Sequence, residues 1–427
     1  MHVQNHGRGR AALGFIGVGA LLALTACAPS PEAGTTSSPT PETSEPTPYA
    51  GPVVFVGDEL DGFLLTPSEI TGLLPEATDI GDVSPVLEQI SDGGGMPATP
   101  AICDALYAEQ SLGTVGARTV EWKVPTDPDY GSGELYILQF ADEAQAQSRM
   151  DQLLQAAQQC GQFTKEAPAT FDAVIPESAD DVSAFAGTLI DVDAGYDWRV
   201  FHAFASTGNV IVQVMQPFTG DRSFDAEAAA LLLQSRAAEA RADLIEALTE
   251  NPPVAEEESS TDPGALWSDW KIEVGGVGPL RLGAEVEDAL AAAGGAEVID
   301  PTYSGGPWTL VDPEGDGTIL VQPVEDGSAV WSVTVGDARS LDSVQDGAAL
   351  PARGDIRIGA PVASAIAAFP GGTIVDVVSS GEDFYAVTTR DGQVFRFVSD
   401  RDVVEDDAVI VGITVEDATA RKAAVFS

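Results

Sequence analysis

The side chains of this 427-residue chain that could do chemistry unaided are few: Cys27, Cys103 and Cys160, and beyond His6 a single histidine, His202. A cysteine can be a core thiol, half of a disulfide, a metal ligand or an acyl acceptor, so position has to decide. Cys27 follows Ala11–Ala26, a run without charge, and precedes a stretch rich in proline and acid. The run itself follows Arg8 and Arg10 with no acid before it, the layout of an export signal. It is shorter than the about 20 residues a membrane span needs, and the prolines beyond it could not continue a helix.

Leu24-Thr25-Ala26-Cys27 resembles the lipobox of bacterial lipoproteins, in which the cysteine sulfur is acylated and becomes the mature N-terminus. That resemblance implies residues 1–26 as signal peptide, Cys27 as the lipidation site, and a place on the extracytoplasmic face of the cell membrane. The alternative is that Cys27 leaves with an ordinary signal peptide. Two or more acyl chains give stable anchoring where one gives only marginal binding. An acylated Cys27 leaves Cys103 and Cys160 as an even pair in a compartment where disulfides persist.

Without residues 1–26 the chain keeps 18 Lys+Arg against 67 Asp+Glu, a formal balance of −49. Such a charge repels phosphate backbones and anionic lipid heads, which excludes nucleic acid as a partner and assigns membrane contact to the anchor. It is also a habit of acidic proteomes and speaks mainly to solubility. Residues 27–49 form the anchor and a stalk of Pro, Ser, Thr and Glu that cannot bury a core; fully extended it reaches about 60 to 70 Å. A second polar stretch, residues 251–264, marks a linker between a domain at 50–250 and another at 265–427.

Catalytic patterns are missing. A Ser-His-Asp triad would have to use His202, no G-x-S-x-G elbow occurs, and no Gly-rich phosphate loop follows a strand. Alternation puts His202 with Val200 and Phe204, as a satisfied strand histidine. Zinc would need four ligands where only Cys103, Cys160 and His202 are on offer, and no other cofactor is expected. Asp312, Glu314, Asp316 and Gly317 start like a calcium loop, but Pro323 stands where the bidentate Glu belongs, so a solvated hairpin is expected. The reading is a non-enzymatic module that binds a small-molecule or cell-wall ligand, or an envelope protein. The rival is a hydrolase of cell-wall glycan using two carboxylates in an aromatic cleft.

The residues chosen for a cleft lie on one strand, Tyr196, Trp198, Arg199, Phe201 and His202. Alternation separates Arg199 and Phe201 from Trp198 and His202, and the first pair is expected to face the cleft, because burying an unpaired Arg is costly. Around that strand, Pro67 opens a short helix, and Asp142 caps a longer one with Met150, Leu153, Leu154 and Ala157 at helical spacing. Val120, Trp122 and Val124 alternate along a strand, as do Val210, Val212 and Val214. Leu233, Ala237, Ala240, Leu244 and Leu248 form the apolar stripe of a last helix. Helices on an antiparallel sheet, an α+β class, is the simplest assembly.

The order LLTPSEITGLL, PAICDALYAEQS, a strand pair, ADEAQAQSRMDQLLQAAQQC, GNVIVQVMQ and an Ala-rich helix resembles PknH-type extracellular sensor domains over residues 58–250. The resemblance implies a Cys103–Cys160 disulfide and a ligand cleft. The family's second cysteine pair is missing after Cys160, so the cleft can differ in shape. Closing a loop of this length is worth about 4 kcal/mol in the chain-entropy model.

The second domain repeats. Leu280-Arg281-Leu282-Gly283-Ala284 recurs as Ile356-Arg357-Ile358-Gly359-Ala360, and an offset of 76 aligns Val286 with Val362, Leu290 with Ile366, Trp308 with Phe384 and Val321 with Phe397. The strands WSVTV and VGITV align after a four-residue insertion. The expected unit is βαβββ, twice, at about 272–337 and 352–417, with Arg281 and Arg357 as a paired anion site or simply a wet face. Tandem modules of this kind loosely resemble the BamE and beta-lactamase-inhibitor-protein group, whose sheets bind proteins.

Overall fold

The computed structural model describes residues 48–90, 97–125, 127, 131–193, 196–254, 261–262, 264–312, 315, 317–337 and 345–421. Cys27 and the stalk up to Thr47 lie outside these. Among the described residues no helix is long and apolar enough to cross a membrane.

The first part of the chain runs α1 (Pro67–Leu73), β1 (Val86–Gln89), β2 (Gly116–Lys123), β3 (Ser132–Gln139), α2 (Glu143–Gln159), β4 (Phe163–Thr164), β5 (Pro168–Val174), β6 (Ser183–Asp193), β7 (Tyr196–Thr207), β8 (Val210–Phe218) and α3 (Ala226–Glu250). Caps fix the helix starts: the Thr66 hydroxyl accepts from the Glu69 N–H at α1, and the Asp142 carboxylate from the Gln145 N–H, 2.8 Å, at α2. The antiparallel sheet has the order β2-β3-β8-β7-β6-β5-β4. Period-two burial divides its side chains. Val120, Trp122, Leu135, Ile137, Phe201, Ala203, Val212 and Val214 share a core with Leu233, Ala237, Ala240, Leu244 and Leu248 of α3. Leu138, Phe185, Phe204 and Ile211 share the opposite core with Met150, Leu153 and Ala157 of α2. This is the α+β assembly expected.

The second part begins with three short strands, β9 (Ile272–Glu273), β10 (Gly276–Val277) and β11 (Leu280–Arg281). Then come α4 (Val286–Ala292), β12 (Glu297–Ile299), β13 (Trp308–Val311), β14 (Thr318–Pro323), β15 (Val330–Gly336), α5 (Val362–Ala368), β16 (Thr373–Val377), β17 (Glu382–Thr388), β18 (Gln393–Ser399) and β19 (Ile410–Asp417). Each copy is therefore a helix followed by four strands. The expected leading strand survives in the first copy as Leu280–Arg281, set in a small separate sheet, and Ile356–Ile358 make only a bridge at Ile356. The offset of 76 suits the helices, but it slips at β13: Trp308 packs on the helix-side core, where Tyr385 is found, while Phe384 faces the other way. Arg357 donates to the carbonyls of Leu350 and Ser268, so it holds backbone in place.

The two copies join through β15 and β19 into one sheet, β1-β16-β17-β18-β19-β15-β14-β13-β12. Its first strand comes from the other module: β1 pairs in parallel with β16, Val86 opposite Ile374. Residues 46–427 form one compact unit. Phe384, Ala386, Val394, Val398 and Val411 pack against Val115 and Ala141. Hydrogen bonds cross the same contact: Ala117 N–H to Thr373 Oγ1 at 2.8 Å, Thr388 Oγ1 to Val115 O at 2.9 Å and Gln145 Nε2 to Ala418 O at 2.8 Å.

Candidate binding cleft

Helix α3, with 25 residues, shields one face of the seven-stranded sheet. Helix α2 has 17, which at 1.5 Å per residue is about 25 Å, and it leaves part of the opposite face bare. On that bare part lie Glu134 and Tyr136 of β3, Trp198 and His202 of β7, and Gln213 and Met215 of β8, the floor of a cleft of about 320 Å³. Its wall is the segment Leu106–Ser111, and Glu88 and Ile90 close it at β1.

The wall is tied down from behind. Cys103 is bonded to Cys160 at the end of α2, Cα atoms 5.8 Å apart, both fully buried. Arg149 of α2, 3% exposed, donates to Gln110 O at 3.2 Å and to Leu112 O at 3.0 Å, and burial pushes its guanidinium down to about 10. The Gln110 amide in turn donates to Ala105 O and Ala108 O. From β1, Gln89 donates to Ser111 O at 2.9 Å, and Glu109 accepts from the Ile90 N–H at 2.9 Å.

Alternation separates the two sets of strand β7 as expected, but the cleft receives the other one. Phe201 is 1% exposed, stacked on Phe224 beneath α3. Arg199 shares its side of the strand yet sits near the strand's start, where its guanidinium reaches Gly220 O at 3.0 Å and Asp221 at 3.1 Å. The desolvation that argued for an open face is avoided by this escape at the strand's end. Trp198 and His202 line the cleft instead, Trp198 stacked on Tyr107 with ring centroids 5.1 Å apart.

His202 is also not the satisfied histidine that its strand position suggested. It is 4% exposed, and among the described residues neither ring nitrogen has a hydrogen-bond partner. Burial pushes the imidazole down to about 4, so it is neutral near pH 7, one nitrogen a donor and the other an acceptor. Beside it, Tyr136 Oη donates to Glu134 at 2.6 Å. Burial raises the Glu134 carboxyl above the ordinary range, and the charges of Glu121 and Glu88 add to this against the Tyr136 hydrogen bond. Tyr136 is raised too, first by burial and then by Glu134. No Lys or Arg is among the described residues lining the cleft, whereas Glu88, Glu109 and Glu134 all do.

Residues 56–236, which run from before α1 to the middle of α3 and include the whole seven-stranded sheet, match the family model of the PknH-like extracellular domain. Two solved structures are similar to the chain. The extracellular domain of PknH from Mycobacterium tuberculosis is 13% identical, covering 48% of this chain and 100% of its own at a TM-score of 0.29. A putative uncharacterized protein from Mycobacterium smegmatis is 16% identical, covering 40% of this chain and 95% of its own at a TM-score of 0.25. No curated protein matches the chain.

Proposed function

We propose that the protein is an extracytoplasmic lipoprotein whose first module binds a small cationic ligand in the cleft over Trp198 and His202. The observation that carries this reading is a buried His202 with both ring nitrogens unmatched, in a cleft lined by acids and aromatic rings. A buried polar group without a partner is expensive, and a ligand that meets it recovers that cost on binding. Three carboxylates repel an anion and attract an amine, and Trp198, one side of which stacks on Tyr107, supplies an aromatic surface for a cation or an apolar body, while the Tyr107 ring already carries the Lys165 ammonium 4.2 Å from its centroid. An amine-bearing fragment of the cell wall has this chemistry. The match of residues 56–236 to an extracellular domain family supports the location, and Leu24-Thr25-Ala26-Cys27 supports the anchor.

Choline and glucosamine serve as probes, followed by amide shifts in residues 46–427, the compact unit without the anchor. Binding should perturb residues around Trp198 and His202 and strengthen as pH rises through the raised range of Glu134, because a cation prefers the ionised carboxylate. Trp198→Ala should weaken it by about tenfold, and Glu134→Gln should flatten the pH dependence. Shifts confined to other surfaces would defeat the assignment. For the anchor, Cys27→Ser should leave precursor unprocessed, and normal processing of that variant would reject it.

One observation favours a second reading. A carboxyl raised by burial, close to other acids in an aromatic cleft, is what a general acid for glycoside hydrolysis requires, and Glu134 has that setting. Turnover of a wall glycan that Glu134→Gln abolishes would establish it in place of simple binding.

A further inference from the structure

The eight sheet strands of the two copies end in corresponding strands, β16 and β12, and these two edges are treated differently. At one edge β16 receives β1 in parallel, so that Val375 is 4% exposed and Leu87 1% exposed. At the other, β12 ends the sheet, and Glu297, Val298 and Ile299 are all exposed, with Val298 at 43% and Ile299 at 45%. Tyr303, 65% exposed, follows beyond the end of the strand.

The register shows that the bare edge can pair. One row of cross-strand partners runs Ile374, Tyr385, Phe397, Ile413, Val335, Ile319, Leu310, Val298. Hydrogen-bonded and non-bonded pairs alternate across such a row. Ile374 turns its N–H outward, donating to Pro85 O at 2.9 Å. Seven steps of alternation along the row give Val298 the same sense, its N–H and C=O pointing away from β13. Pro301, three residues on, falls in the inward set and removes no outward donor.

We propose that the β12 edge is a docking site for an extended, cationic segment of a partner protein, added as a further strand as β1 is added at β16. Charge selects this occupant. Glu297 and Asp300 flank the exposed Val298 and Ile299. A second copy pairing antiparallel through its own β12 would set these acids against each other, in a chain of balance −47. A segment with Lys or Arg beside alternating apolar residues meets both features, while backbone bonds supply the register.

The test uses residues 46–427, the compact unit without the anchor, and two synthetic octapeptides, SPVLEQIS, the sequence of residues 84–91, and SPVLKQIS. The lysine peptide, at up to about 5 mM, should shift and protect the Val298 amide, and the glutamate peptide should bind about two- to fivefold more weakly. Val298→Pro should abolish the accompanying shifts of the Glu297 and Ile299 amides, because it removes the outward N–H from an edge that tolerates Pro and leaves the ladder to β13 intact. The proposal is overturned by an undisturbed Val298 amide, by equal binding to Val298→Pro, or by concentration-dependent dimerisation that Val298→Pro removes, which would give the edge to a second copy.

Discussion

Thr334 and Thr414 are counterparts in the two copies of the repeat, and they face each other across the β15–β19 ladder with their Oγ1 atoms 2.7 Å apart. The pseudo-twofold relation between the copies thus passes through one buried hydroxyl pair, each residue 8% exposed. A lone buried hydroxyl costs about 1 to 3 kcal/mol, whereas replacing both partners by groups of the same shape can be nearly neutral. Thr334→Val and Thr414→Val should each destabilise by about 1 to 2 kcal/mol in urea unfolding, and the double variant by less than their sum. Additive losses would show that the pair is not a coupled unit.

His202 makes the fold sensitive to acid. Its folded-state value is about 4 against 6.5 for the free side chain, because charging it would strand a cation in the core. The unfolded chain therefore takes up a proton at a higher pH than the folded one. The stability associated with a neutral His202 is present above about pH 6.5 and is lost as pH falls toward 4, on the order of 3 kcal/mol in all. Urea midpoints at pH 7.5 and pH 4.5 should converge for His202→Phe relative to the parent. An unchanged pH slope in that variant would contradict the burial effect.

Reduction of Cys103–Cys160 should act on the cleft as well as on stability. The bridge closes a separation of 57 residues, worth about 4 kcal/mol in the chain-entropy model. It also fixes the start of the cleft wall, whose far end Arg149 holds at Gln110 and Leu112. Under reducing conditions, amide exchange at residues 105–112 should rise more than exchange in the core strands β7 and β8. Arg149→Met, which keeps the Cys103–Cys160 bridge, should loosen the same wall, and a protected wall in both cases would place its support elsewhere.

These elements were legible in the sequence to different degrees. The stripe of α3 and the alternation of Val210, Val212 and Val214 could be read because burying one face imposes a period. Alternation likewise separated Trp198 and His202 from Arg199 and Phe201. It could not say which set is covered, since that depends on how far α2 and α3 extend over the sheet. The role of β1 left no local signal: Val86 meets Ile374, 288 residues away in sequence, and four residues of mixed character do not announce a strand. The slip at β13 was hidden because the second copy places two aromatic residues in succession, Phe384 and Tyr385, and either can be aligned with the single Trp308 of the first.

The joint between the two modules yields the last prediction. Arg118, its side chain 6% exposed, donates to Asp61 at 3.1 Å, to Gly57 O at 3.1 Å and, across the joint, to Gly371 O at 3.1 Å. Next to it the backbone of Ala117 is matched by Thr373 Oγ1, and β1 lies in the neighbouring sheet. A buried guanidinium with carbonyls on several sides is rigid, and deleting it strands acceptors from both modules at once. The chain should unfold in a single calorimetric transition despite the linker at residues 251–264. Arg118→Ala should lower stability by about 2 to 4 kcal/mol and divide that transition in two, because it weakens the joint more than either core. Thr373→Val, which removes one side-chain partner and keeps the guanidinium, should cost about 1 to 2 kcal/mol and leave the transition single. Two transitions in the parent chain, or an Arg118→Ala variant that melts like the parent, would mean that the modules fold independently of this contact.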